Sequence, residues 1–268
     1  MFNRLPSPVI VAQPVELADV LELREDYRRS VGAQIVHDSW HARGRTTLYR
    51  LRDGVQTIGY GSVGGESGHP HDTVKEFYLV PNAVEHATAA FRAFLAAAAP
   101  RWLEAQTNDP FLAPLLARFA PRGSAHTILF ADSQTTTLTS PGVRLRAVIP
   151  EEHATVFPHT TEPVGDWGLE QGGVLVATGG LFFHYNPPYG DLYMEVAPTH
   201  RRRGYASFLL QELKRLCYAR GNTPAARCQL ENVGSRGALE RAGMRICGQI
   251  IRGPIVEPET SVTDRPRT

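Results

Sequence analysis

The 268-residue sequence predicts an α+β protein made of two tandem copies of one fold, each a mixed, mostly antiparallel sheet flanked by helices. Three observations carry that prediction. The order of elements in the first half recurs in the second, with Pro81 against Pro198 about 117 residues on. Between the halves, Asp132 to Gly142 is polar and rich in turn formers, as a boundary requires. In the second half, Asp191-Leu192-Tyr193-Met194-Glu195-Val196 reads as a strand that runs through a basic turn, Arg201-Arg202-Arg203-Gly204, into a strong helix over 205–220.

The elements follow in order. Residues 14–30 read as a helix, with Val15, Leu17, Ala18 and Leu21 at near-helical spacing. Thr46–Leu51 and Val55–Val63 form a hairpin across Asp53-Gly54. Val74–Pro81 is the next strand, and an alanine-rich helix from about Glu85 to Ala98 ends at Pro100. Trp102–Thr107 is a short strand. Asp109 caps a further helix that carries Pro110 in its first turn, and Thr127–Ala131 is a closing strand. The second half gives a strand at 143–148, a short helical piece at 150–157, and a hairpin of 165–170 with 174–183. After the strand at 190–196 and the long helix come a strand at about 225–231, a helix at 234–242 and a strand at 244–252. The expected division is a first copy over 1–135, a linker over 136–142, a second copy over 143–253 and a mobile tail over 254–268.

Bulk properties exclude several classes. A net charge of +1 gives no global pull toward nucleic acid or membrane, and the arginine turn alone is too local for a nucleic-acid surface. No apolar run approaches the ~20 residues that span a bilayer. The start has no secretory pattern, so the cytoplasm is expected. The 3 cysteines, Cys217, Cys228 and Cys247, match no metal spacing and no disulfide framework. His69 and His71 share a loop without a third ligand, so no metal is expected.

Strand, basic turn and helix start together make an anion site. Free amides and the positive end of the helix dipole point the same way, and Gly204 allows close approach of a phosphate. The run Arg201-x-x-Gly204-x-Ala206 after Val196-Ala197-Pro198 resembles the acetyl-CoA pyrophosphate loop of the GCN5-related N-acetyltransferases (GNAT). A second block, Asn232-Val233-Gly234-Ser235 followed by Leu239-Glu240-Arg241-Ala242-Gly243-Met244, is similar to the segment that closes the CoA side of that fold. The resemblance covers roughly residues 143–252. In the first copy Val84, Glu85, His86 and Ala87 stand where Arg201 to Gly204 stand in the second, so that copy is expected to be degenerate and without CoA.

The resemblance implies an N-acyltransferase moving an acyl group, expectedly from acetyl-CoA, directly to an amine of a small molecule or peptide, in a monomer or homodimer. CoA falls to Val196, Ala197 and Pro198 along the strand end, to Arg201, Arg202, Arg203, Gly204, Tyr205, Ala206 and Ser207 in the turn, and to Asn232 and Ser235. The Val196 N–H is expected to face the thioester oxygen. Proton transfer is less well marked. The substrate-facing strand positions correspond to Gly190 and Leu192, the strand beyond offers Arg227, and the usual tyrosine position is Leu239; none of these is an acid or a base at neutral pH. Glu195 and Glu231 are the nearest candidate bases, although alternation turns Glu195 away from that face, and Tyr193 is the candidate acid; a base working through ordered water, or supplied by His184, Tyr185 or Tyr189, is an equal alternative. Trp167, His184, Tyr185 and Tyr189 are expected around the acceptor. A CoA-binding sensor or scaffold without catalysis is the alternative.

Overall fold

The computed structural model describes residues 9–66 and 68–257. The chain forms two compact units that are not consecutive halves. Among the described residues, one unit is drawn from 9–33, 37–125 and 250–257, and the other from 34–36 and 126–249.

In the first unit the strands run β1 (Ile10–Val15), β2 (Thr46–Asp53), β3 (Gln56–Gly64), β4 (Thr73–Leu79) and β5 (Trp102–Gln106), side by side in that order. β1 through β4 pair antiparallel. β4 and β5 pair parallel over Thr73 and Val74 alone and then diverge. Helices α1 (Leu21–Ser30), α2 (Asp38–Ala42), α3 (Ala87–Ala98) and α4 (Leu112–Phe119) complete the unit. Its core joins Phe77, Phe91, Phe94 and Phe119, all buried, with edge-on contacts between the Phe91 ring and those of Phe77 and Phe119. Asp109 caps as expected, accepting the Phe111 and Leu112 amides at 2.8 and 3.2 Å.

The second unit has β6 (Ser124–Asp132), β7 (Val143–Ala147), β8 (Trp167–Gln171), β9 (Val174–Phe182), β10 (Tyr189–Val196) and β11 (Thr223–Gln229). Their spatial order is β6-β11-β10-β9-β8-β7. Helix α5 (Tyr205–Ala219) lays Leu209, Leu210, Leu213 and Cys217 against this sheet, and α6 (Val233–Arg241) adds Ala238 and Leu239 to the same core. The final strand, β12 (Met244–Pro254), serves both units: its residues 250–254 pair antiparallel with β5 in the first, while 244–249 belong to the second.

Four expectations are corrected. Residues 10–15 form an edge strand rather than the start of a helix. Ile10 and Ala12 pack on the core at a period of two, and an edge tolerates Pro14. The boundary is not at 135: β6 pairs with β11 in the second unit, and 250–254 returns to the first, because each sheet takes a strand from the other half of the sequence. Only Pro150–Glu152 of the piece at 150–157 is helical, as one 3-10 turn. The expected tail is held at its start, where the Ile255 and Val256 amides donate to the carbonyls of Arg101 and Phe119; its residues 258–268 lie outside the described residues.

Lys214 pins the segment after β6 and the end of α6 to α5. Its buried ammonium donates to the carbonyls of Gln134 and Ala242, each at 2.8 Å, and pairs with Asp132. Lys214→Ala leaves these acceptors without the cation, so a loss of about 3 kcal/mol is expected in urea unfolding.

Candidate active site: a phosphate cradle at the mouth of a splayed sheet

β10 and β11 pair only over Tyr189–Asp191, in register with Thr223–Ala225. Beyond that point β10 stays on β9 alone, and a wedge opens between β10 and β11. Ala197 donates its N–H to Val176 on the β9 side. Backbone direction alternates along a strand, so the N–H and C=O groups of Met194 and Val196 face the other way, into the wedge.

The basic turn closes the mouth. Pro198–His200 makes a 3-10 turn, after which Arg202 and Gly204 both take the left-handed backbone conformation, at φ +62° and +84°. Gly204 is the N-cap of α5 and has no side chain to cap with. The first backbone bond of the helix is Phe208 N–H to Gly204 C=O. The amides of Arg202 through Ser207 therefore make no backbone bond among the described residues, and all of these residues except Arg203 line the cleft, at the positive end of a 15-residue helix. Arg241, from the last turn of α6, reaches the Ser207 hydroxyl at 3.4 Å and adds a further cation. At the adjoining helix start, Asn232 is the cap, accepting the Ser235 amide at 3.0 Å. The resulting cleft has a volume of about 450 Å³ and takes its walls from β10, the turn, α6 and the segment Thr160–Glu162.

The equivalent place in the first unit lacks this chemistry. Pro81–His86 forms one continuous 3-10 helix running into α3. The Ala87 N–H, in the place of that of Gly204, is taken by Val84, so an amide that lies open in the second unit is engaged here. The cavity beside it, about 270 Å³, is lined by Phe77, Leu79, Val84, Phe111 and Leu115 among others.

Strand alternation holds, but the face assigned to the acceptor is reversed. A Cβ on Gly190 would lie 2.9 Å from the Cys217 sulfur of α5, and Leu192 is in the core, so both sit on the helix side. Asp191, Tyr193 and Glu195 occupy the opposite face, and Glu195 reaches residues 160–162 from there. It is fully engaged: it accepts the amides of Thr160, Thr161 and Glu162 and the hydroxyls of Thr160 and Thr161, all within 3.3 Å. Burial alone raises its carboxyl, but the Glu162 and Thr161 amides and the Thr160 hydroxyl outweigh this and hold it at about 2. A carboxylate held so low is a poor base; Glu195 instead anchors the 160–162 segment.

Tyr193 lies flat across Gly180, where a Cβ would come within 2.5 Å of its hydroxyl, and stacks on Phe182 at 4.2 Å. Burial first, then Asp166 and Glu162, push its phenol to about 12. Glu231 is exposed in the turn before α6 and does not line the cleft.

Of the expected CoA residues, Val196, Arg201, Arg202, Gly204, Tyr205, Ala206, Ser207, Asn232 and Ser235 line the cleft, whereas Ala197, Pro198 and Arg203 do not. Arg201 folds back, its Nε 3.3 Å from the Val196 carbonyl, and the Tyr205 ring is in the core with its hydroxyl donating to Gln171. None of Trp167, His184, Tyr185 and Tyr189 lines it. Trp167 packs against the core on the α5 side. His184 pairs with Asp191 at 3.1 Å, Tyr185 is buried, and Tyr189 is half-buried at the start of β10. Thr160–Glu162 and Arg241 are cleft residues that sequence reasoning missed. Arg241 had a signal, since it lies in the second motif block; Thr160–Glu162 sits in a segment without periodicity. Among the described residues no group of three or more His, Cys, Asp or Glu could hold a metal, and no helix is long and apolar enough to cross a membrane.

Strand groups facing into the wedge and a helix start left open by two left-handed residues thus meet at one cleft. Residues 135–244 match the model of the acetyltransferase (GNAT) family. An acetyltransferase from the GNAT family from Colwellia psychrerythraea is similar over 91% of this chain and 99% of its own, at 17% identity and a TM-score of 0.71. A tandem GNAT protein from the clavulanic acid biosynthesis pathway (solved without AcCoA) is similar over 91% and 98%, at 12% identity and a TM-score of 0.54. These likenesses give the fold, two tandem GNAT-like units. No curated protein matches the sequence.

Proposed function

We propose that the protein is an acyl-CoA-dependent N-acyltransferase that moves an acyl group, by preference acetyl, directly to a primary amine of a small molecule or peptide, with CoA held by the second unit alone. The observation that carries this reading is the run of open amides from Arg202 to Ser207 at the mouth of the β10–β11 wedge. Those amides and the helix dipole suit a pyrophosphate. Arg202 and Arg241 add positive charge around it. The inward N–H and C=O groups of Met194 and Val196 suit the amide-bearing arm that follows. The Val196 N–H then serves as donor to the thioester oxygen, where negative charge grows as the amine attacks.

The first unit is proposed to be without CoA, because its 3-10 helix engages an amide a phosphate would need. Release of free thiol from acetyl-CoA, measured over a panel of primary amines, tests the activity. Amine-dependent release is expected. CoA binding without release on any amine would favour a sensor or scaffold instead.

A further inference from the structure

Of the carboxylates on the central strand, Glu195 anchors a loop, and Asp191, paired with His184, does not line the cleft. The loop that Glu195 anchors supplies another carboxylate. Glu162 lines the cleft together with Met194, Glu195 and Val196, next to the strand groups assigned above to the thioester. Its own amide is fixed by Glu195 at 3.1 Å, and its carbonyl lies 2.9 Å from His159 Nδ1, so its backbone is held on both sides. Its carboxylate, in contrast, makes no hydrogen bond and no ion pair among the described residues, although the residue is half-buried. A carboxylate with no partner, on a backbone pinned this firmly, is left free to meet a ligand in the cleft that the residue lines.

Resting on the acyltransferase reading, we propose that Glu162 is the catalytic base, taking the proton from the acceptor's ammonium group, and that the acceptor is therefore a primary amine that enters as a cation. One N–H proton passes to the Glu162 carboxylate, and the freed lone pair forms the C–N bond at the thioester carbonyl carbon. The C=O electrons move to the oxygen, and their return breaks the C–S bond. The sulfur leaves with that electron pair and takes up the second proton lost by nitrogen, giving amide and free thiol; Glu162 returns its proton to solvent.

The surroundings suit the role. Burial raises the Glu162 carboxyl above its ordinary value, the Asp191 carboxylate raises it further, Arg227 on β11 opposes this, and Glu195 adds to the rise. Tyr193 on β10 and Tyr185 in the loop before it are the other titratable groups within its field, and His159 adjoins it on its own segment. A carboxylate whose pKa is raised in this way is a stronger base than a solvated one.

The test uses the full chain, acetyl-CoA and three probe amines: 2-phenylethylamine, cadaverine and a tripeptide with a free N-terminus. For any amine the wild type turns over, Glu162→Gln is expected to lower kcat/KM by about 100-fold or more and to remove the limb on which the rate rises with pH. Glu162→Asp is expected to recover part of the rate with the limb restored. Calorimetric CoA binding unchanged in both variants would show that they fold. A Glu162→Gln rate within about threefold of wild type, or an unchanged acid limb, overturns the assignment and leaves the acyltransferase reading standing. No release by the wild type with any of the three amines overturns both.

Discussion

Gly204→Glu is expected to abolish CoA binding, raising Kd for CoA by about 100-fold or more at neutral pH in titration calorimetry. Two effects add. Residue 204 sits at φ +84°, where a side chain costs about 1 kcal/mol, so the turn that opens the amides is strained before any ligand arrives. The carboxylate then occupies the anion's own place and cancels the helix-start charge that attracts it. Nothing lies within 4 Å of the added Cβ, so the variant should fold. Gly204→Ala separates the two effects. It carries the backbone cost without the charge and should weaken CoA by only about tenfold.

A second large effect is expected at Glu195, and on the other substrate. Glu195→Gln removes the charge that gathers the donors of Thr160, Thr161 and Glu162 and forces an amide N–H₂ against them. The acceptor wall loosens, so KM for the amine should rise about tenfold or more while Kd for CoA stays within about threefold. The same residue has a signature in stability. Its carboxyl titrates at about 2 in the folded chain against an ordinary 4.5. A folded value lower than the unfolded one stabilises the chain above the unfolded value, and the gain is lost as pH falls from about 4.5 toward 2. In the Gln variant that part of the acid dependence should be missing, which urea unfolding at a series of pH values would read.

Much of this was legible in the sequence because it is local. The turn Arg201–Gly204 needs a glycine at a left-handed position and a helix directly after it, and both are visible in adjacent residues. The features that were not legible depend on distant partners. β1 was hidden because Ile10 and Ala12 show their period of two only against β2, a strand far along the chain. The crossing of chain between units at 125–126 and 249–250 leaves no mark on either strand, since a strand reads alike whichever sheet receives it. The reversed face of β10 arose in the same manner. Alternation fixes which residues share a side, but only the seat of α5 against Gly190 and Leu192 decides which side is the helix's. The Glu195–Thr160 anchor joins residues 35 apart through an irregular segment that no periodicity describes.

The two units put one fold to different uses. Both sheets splay after a short parallel pairing, β4 from β5 and β10 from β11. Only in the second does the connection that follows leave its amides open. One CoA site per chain, built by the second unit, is therefore the expectation, and the stoichiometry of CoA binding tests it. Calorimetric titration of CoA into the wild-type chain should give one site, and that site should vanish in Gly204→Glu. Two sites, or one that survives the substitution, would refute the assignment, as would the absence of any binding to the wild type.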